Sequence, residues 1–367
     1  MSRDAIRVGL PISLTGLFSS QGVQALDGVR CWVDDCNAGG GMRLTESSDP
    51  LPVHLLYYDD GSRPATAASI SRKLINEDRV DILLGPYSSS LTLACARVSD
   101  ELGMVLWNHG GASDAVQYGG FSRVVSILSH ASRYLWGVTE FLINMDPRPR
   151  KAAILRSSRG SFPKAVAGGF VERAMQCGWD VVFDEVYESD RPEFASTVRR
   201  IRDCSPDVVV GVGLIQDDLS LARKLAMTDF GAEALVVVAA GVSLFGEEMG
   251  TLAEGFIGPS QWEPGLSYAL DYGPTTAELQ GRHAGFRESE ADYTMAQAYA
   301  AGLAVERCVT EAGTLDSDIL METARRTRFT TFYGPFEIDP ATGAQVGRSV
   351  PLVQWHNGRK EVVWPTS

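Results

Sequence analysis

The chain has 367 residues, 44% hydrophobic and 22% charged, a globular profile that excludes a disordered or collagen-like chain and allows two or three domains. Its 33 Lys and Arg against 46 Asp and Glu give a formal net charge of -13, and such a surface repels phosphate backbones and anionic leaflets, so nucleic acid and membrane lipid are not expected partners. No apolar run approaches the roughly 18 to 20 residues of a membrane span, and the start, MSRDAIRVGLPISL, carries Arg3, Asp4 and Arg7 where a signal peptide needs an apolar core. The expectation is an exported protein whose signal has been removed.

Apolar runs alternate with amphipathic stretches along the first part of the chain: strands at 6–12, 53–59, 80–86 and 104–110, helices at 22–37, 64–77, 91–102 and 131–145. This βαβα order predicts a parallel sheet with helices on both faces. The pattern restarts at Lys151, with strands at 152–158, 179–187, 207–213 and 234–241 and helices at 163–177, 192–203 and 216–229. EGFIGPSQW (254–262), a long helix from about 290 to 312 and a helix near 317–326 follow, and the C-terminal stretch with PFEIDPATG and VPLVQWHNG reads as a hairpin. No Gly/Ser linker separates the two α/β halves, so they are expected to exchange segments, with a ligand cleft between them.

Enzymatic signatures are mostly missing. The sequence has no GxxxxGK[ST] loop, no HExxH and no GxSxG, and GVGLIQ (211–216) lacks the GxGxxG spacing. Of five histidines only His109 sits at a strand's C-terminal end, where sites form in open α/β sheets, with Asp114 near it. The six cysteines show no CxxC and no metal spacing, so neither a metal nor a cofactor is expected. Cys177 and Cys204 both fall at helix ends, which leaves a disulfide or two separate thiols open. What stands out is small hydroxyl and glycine residues after three strands: Ser13 to Gly22, Gly85-Pro86-Tyr87-Ser88-Ser89-Ser90, and Asn108-His109-Gly110-Gly111-Ala112-Ser113. A serine run leading into a helix aims hydroxyls and free backbone N–H groups at one spot, which suits a carboxylate or another strongly polar group.

The strings VGLPISLTGLFSSQG, NAGGGMRL, YYDDGSRPATAASISRKLI, VDILLGPYSSSLTLA and LWNHGGASD resemble the type I periplasmic binding proteins of the branched-chain amino acid and amide uptake class. The resemblance runs from about 6 to 355 and is strongest over 6–114. It implies an α/β fold of two Rossmann-like lobes with parallel central sheets joined by three hinge crossings, near 122–130, 254–262 and 331–336. Lobe one is then 1–122 plus 263–332, and lobe two 123–262 plus 333–367. It implies a monomeric, non-enzymatic, periplasmic protein that closes on a small ligand and delivers it to a membrane ABC permease. A cytosolic ligand-sensing regulator on the same scaffold is the alternative, and an enzyme using His109 with Asp114 a third reading.

By the same resemblance, Ser89 holds a ligand carboxylate, with Tyr87 two residues before it. Gly110 supplies a carbonyl, and Ala112 stands where the family has a hydroxyl that the neighbouring Ser113 replaces. Gln21 takes the aromatic wall position, with Phe18 close by. In lobe two the family's tyrosine falls on Ser161, beside Phe162, the next aromatic position on Leu214 or Ile215, and the glutamate that pairs with an amino acid's ammonium on Ala240. A buried ammonium without a carboxylate is costly, so Asp217, Asp218 or Glu263 is needed as a substitute if the ligand is an amino acid. Trp107, Trp262, Tyr293 and Tyr299 are candidate apolar walls, Trp262 foremost. The expected ligand has a carboxylate or amide end and an apolar or aromatic body.

Overall fold

Five apolar runs become the strands of an all-parallel sheet in the first part of the chain: β1 (Ile6–Ile12), β2 (Val53–Asp59), β3 (Ile82–Leu84), β4 (Leu106–Asn108) and β5 (Val124–Ser126), in the order β2-β1-β3-β4-β5. Every residue of β3, β4 and β5 is buried, as befits parallel strands covered on both faces. They alternate with α1 (Ser19–Ala38), α2 (Pro64–Asn76), α3 (Ser89–Leu102) and α4 (Asp114–Gln117). Helix α2 opens with proline at its first position, where the missing N–H has no intrahelical partner anyway. The computed structural model describes residues 4–47, 49–143, 149–188, 193–285 and 291–365.

The chain then builds α5 (Trp136–Leu142), β6 (Lys151–Ser157), α6 (Ser161–Gln176), β7 (Asp180–Tyr187), α7 (Ala195–Asp203), β8 (Val208–Val212), α8 (Ile215–Ala226), β9 (Ala234–Val237), α9 (Ser243–Met249) and β10 (Ile257–Pro259). Next come α10 (Thr276–His283), α11 (Tyr293–Ala312), α12 (Ser317–Arg326), the short pair β11 (Phe329–Thr331) and β12 (Gly334–Phe336), and finally β13 (Leu352–His356) and β14 (Arg359–Trp364). The second sheet runs β14-β13-β10-β9-β8-β6-β7, parallel except for the antiparallel edge of β13 and β14.

By contacts the chain forms two units, Met1–His130 with Ser267–Arg348, and Ala131–Leu266 with Ser349–Ser367. It passes from one to the other after His130, Leu266 and Arg348, so residues 123–130 and 333–348, placed in lobe two by the resemblance, fall in the first unit, and 263–266, placed in lobe one, fall in the second. In that unit α1 packs along α11 on one face of the sheet, while Leu83, Leu106 and Val124 meet residues of α2 and α3 on the other. In the second, Leu155, Val209 and Val237 pack with Phe245 of α9 and Trp355 of β13.

Several expectations are corrected. The helix expected over 131–145 is a 3-10 turn (Ala131–Arg133) followed by α5, and 144–148 lie outside the described residues. The helix expected from 192 begins at Ala195, and 189–192 are likewise outside. Strand 234–241 stops at Val237, and VAAG coils into a 3-10 turn. PFEIDPATG and VPLVQWHNG do not pair with each other: β12 pairs with β11, and β13 pairs with β14. The turn of the latter hairpin is Asn357-Gly358, both at positive φ, the backbone that a two-residue hairpin loop requires.

Candidate functional site

In the first unit the strand order reverses between β1 and β3, and ligands of open α/β sheets bind outside the carboxyl ends at such a point because the flanking loops diverge there. The loop after β1 is braced by the loop after β2. Ser13 donates to Asp60 Oδ1 at 2.6 Å and the Ser62 N–H to the same oxygen at 2.8 Å; burial still pushes Asp60 above its ordinary value. Asp59 feels some burial as well, but the Thr15 hydroxyl and the N–H groups of Gly61, Leu14 and Thr15 bond to it and hold it below. Ser62 closes the brace, accepting from the Phe18 N–H and donating to the Thr15 carbonyl. Phe18 is thereby held with its ring centroid 6.2 Å from that of Tyr87.

The loop after β3 enters α3 through Ser88 at φ 84°, ψ 144°, a region that is essentially glycine's. The Ser88 N–H bonds the Gly110 carbonyl at 3.1 Å. A side chain at Gly110 would come within 2.5 Å of Pro86 O and Tyr87 Cα, so only glycine permits this approach of the two loops. Half-buried Ser89 opens α3, and its Oγ accepts from the Ser113 N–H at 2.9 Å. That bond uses a lone pair and leaves the hydroxyl proton to donate. Among the described residues no side chain caps α3. The Tyr87 and Tyr293 hydroxyls meet at 2.6 Å, and burial pushes Tyr87 up to about 12.

The loop after β4 is organised by Asn108, fully buried, whose Oδ1 accepts from the N–H groups of Gly110 and Gly111 and whose amide donates to Gly111 O and Ser126 Oγ. Ala112 is buried, and Ser113 caps α4 by accepting from the Ala115 N–H. The structure therefore gathers Phe18, Tyr87, Ser89, Gly110 and Ser113 at one rim. Gln21 stands half-buried in the first turn of α1. The Gly110 carbonyl, expected to face a ligand, already accepts from Ser88. The Asn108 network and the Asp59–Asp60 brace carry no short-range signal beyond the turn residues DDGS.

In the second unit the order reverses between β6 and β8. Ser161 and Phe162 begin α6, with Phe162 edge-on to Tyr134 at 5.2 Å. Leu214 and Ile215 are half-buried at the start of α8. Ala240 is fully buried in the hydrophobic core, and its carbonyl accepts from Trp355 Nε1 at 2.8 Å. Trp262 is fully buried too. The acids proposed as substitutes for the family glutamate are engaged. Glu263 takes a 2.7 Å ion pair from Lys360, whose Nζ also donates to Gly241 O, and both side chains are about nine-tenths buried. Asp217 accepts from the Tyr187 hydroxyl. Asp218 accepts from the Ala239 N–H, and burial pushes it up to about 8. Cys177 and Cys204 end α6 and α7 as free thiols, so the disulfide alternative is set aside.

A family model described as periplasmic binding protein matches residues 5–360. The chain belongs to the periplasmic binding protein family. Leu/Ile/Val-binding protein homolog 8 of Brucella abortus is 23% identical over 243 residues, 64% of this chain, which spans 58% of that curated relative's length. Among solved structures, a leucine-binding protein LivK from Thermotoga maritima superimposes with a TM-score of 0.83 at 17% identity, covering 98% of this chain and 97% of that one. A solute-binding protein of an ABC transporter from R. palustris, in complex with benzoate, gives 0.78 at 18% identity, covering 98% and 95%. At these identities the likeness carries the fold, and it agrees with the expected pair of α/β units with parallel-dominated sheets. A periplasmic binding protein is not an enzyme, and the reading of His109 with Asp114 as a catalytic pair is withdrawn.

Proposed function

We propose that this protein captures a small carboxylate without a cationic amine and passes it to a membrane ABC permease, working in the periplasm. One observation carries the reading: Ser89 opens the uncapped α3 with its Oγ fixed by Ser113 and its proton left to donate. A carboxylate at that point completes the helix cap and meets the positive end of the dipole. Ser89, with Tyr87, Phe18, Gly110 and Ser113 around it, is the proposed anion end. Phe162 and Leu214 of the second unit are the proposed apolar contacts.

The choice against an α-amino acid rests on charge. Ala240 is core, Glu263 is matched by Lys360, Asp217 serves Tyr187, and Asp218 is held protonated at neutral pH. A ligand ammonium finds no carboxylate at Ala240, where the family glutamate would pair with it, and a buried unpaired cation is costly. Of the two neighbours, the benzoate-bound protein is the better guide to ligand chemistry. Isothermal titration with benzoate, short aliphatic acids and leucine tests this: a response to acids and none to leucine is expected, and tight leucine binding overturns it. Closure of the two units on the ligand belongs to the same proposal. Small-angle scattering should then show a smaller radius of gyration at ligand saturation.

A further inference from the structure

Three fully buried side chains of the first unit keep a nitrogen without a hydrogen-bond partner: Trp107 Nε1, a ring nitrogen of His109, and Gln297 Nε2. Topology brings them together. Leu106 faces the α2 and α3 side of the sheet, so alternation turns Trp107 to the opposite face, over which α11 packs. Along α11, Tyr293 reaches Tyr87 beyond β3, while Ala300 shares a small cavity with Ile127 beyond β5 and with Tyr333. Gln297 lies between them on the same helix face, at i+4 from Tyr293, and so stands over the end of β4, where His109 follows Asn108. Its Oε1 accepts from the Tyr333 hydroxyl at 3.4 Å.

Buried polar atoms without partners oppose folding, and the residues around Gln297 on α11 are mostly alanines that avoid that penalty. A chain that gained nothing from His109 and Gln297 would be more stable with apolar groups there. Burial lowers the His109 imidazole to about 4, partly offset by the backbone of Gly85 and of His109 itself, so it stays neutral and its other ring nitrogen offers an acceptor. Gln297 adds amide donors. A hydroxyl both donates and accepts and matches this set. An ammonium only donates, and a second carboxylate would lack a cation.

We propose that His109 and Gln297, beneath the Tyr87–Tyr293 hydroxyl pair, form a second polar subsite of the first unit that receives a neutral hydroxyl of the ligand. The proposal rests on the reading of Ser89 as the carboxylate end and narrows it: the preferred ligand is a hydroxylated carboxylate and not a plain hydrocarbon acid.

The test compares matched acids with and without a hydroxyl, benzoate against the three hydroxybenzoates and isovalerate against 2-hydroxyisovalerate, by titration calorimetry on the wild type, His109→Phe and Gln297→Met. The wild type should prefer a hydroxylated acid by about tenfold or more, and each variant should lose that preference while keeping its affinity for the plain acid. Without ligand, His109→Phe should melt higher than the wild type, because a buried ring nitrogen without a partner has been replaced by an apolar group, whereas Gln297→Met also gives up the bond from Tyr333 and should change little. Variants that melt lower and keep the preference would overturn the subsite and leave His109 and Gln297 as structural groups. Binding of plain and hydroxylated acids alike by the wild type overturns the subsite but leaves the Ser89 reading standing, whereas binding of no carboxylate removes both. Nitrogen-15 spectra of the wild-type imidazoles give a readout independent of any variant. The His109 ring nitrogens should shift on saturation with the hydroxylated acid, and unchanged signals would count against the subsite.

Discussion

The chain enters a helix through the same unusual backbone twice, at Ser88 (φ 84°) before α3 and at Gly160 (φ 82°) before α6. Both lie in loops that flank the point where the strand order of their sheet reverses. In the second unit glycine adopts this conformation without strain. In the first a serine tolerates it, its hydroxyl 3.2 Å from that of Ser90. Around Ser88 lie hydroxyls, backbone N–H groups and Asn108, whereas Gly160 has no neighbour within 4 Å of where a side chain would start and is followed by Ser161 and Phe162. The proposed function divides the labour accordingly: the first unit takes the polar end of the ligand, and the second keeps its charges to itself.

The largest expected effect tests the second half of that statement. Lys360→Met leaves Glu263 as a buried carboxylate without its cation, which costs about 3 to 5 kcal/mol, whereas adding Glu263→Gln recovers most of the loss. Chemical denaturation of the single and double variants measures it. If the single variant unfolds like the wild type, Lys360 is not what neutralises Glu263.

Titration gives a second test, because the two units bury groups of opposite kind. Asp218 has its pKa raised to about 8, so in the window from its ordinary value of 3.8 up to about 8 the native state keeps a proton that the unfolded chain has released. Its contribution is complete at low pH and is lost as pH rises through that window. His109 has its pKa lowered from 6.5 to about 4. The unfolded chain takes up a proton first, and stability is lost as pH falls from 6.5 towards 4. Asp218→Asn should therefore melt a few degrees above the wild type at pH 8 and close to it at pH 4, and His109→Phe should lose less on acidification. Parallel melting curves for Asp218→Asn and wild type from pH 4 to 8 would show that the carboxyl is not desolvated.

Next in size is the comparison at the ligand. Ser89→Ala should weaken binding of the carboxylate that the panel identifies by about 1.5 to 3 kcal/mol, the range of a hydrogen bond to a charged group, with little change in melting temperature. Ser161→Ala, at the half-buried start of α6, should change affinity by less than about threefold, because the proposed anion end lies at Ser89. Equal losses in the two variants would erase the division between the units.

Much of the fold was legible because buried parallel strands read as short apolar runs: β1 and β2 match their expected bounds, as does α12. The misses have local causes. β5 is only three residues, too short to show a period, and Val238 to Gly241 continue an apolar run while the backbone coils. At the site the serine run and the glycines announced the rim, since turn and cap chemistry is written in adjacent residues. The Ser113 N–H that fixes Ser89, 24 positions away, and the Lys360 that neutralises Glu263, 97 positions away, were not visible. Pairings of that range depend on the tertiary fold and leave no spacing to read.

The smallest expected effect bears on the opening comparison most directly. If Ser88 holds a glycine conformation only because the rim needs a side chain there, then Ser88→Gly should relieve strain and stabilise the protein by about 1 kcal/mol. The same change removes the hydroxyl that faces Ser90 and loosens the chain just before Ser89, so carboxylate affinity should fall modestly even as the melting temperature rises. A variant that gains stability with affinity unchanged would mean that the strain serves nothing at the site. The reverse substitution, Gly160→Ser, supplies the control: it should destabilise the second unit by a similar amount and add no affinity if the anion end lies at Ser89 as proposed.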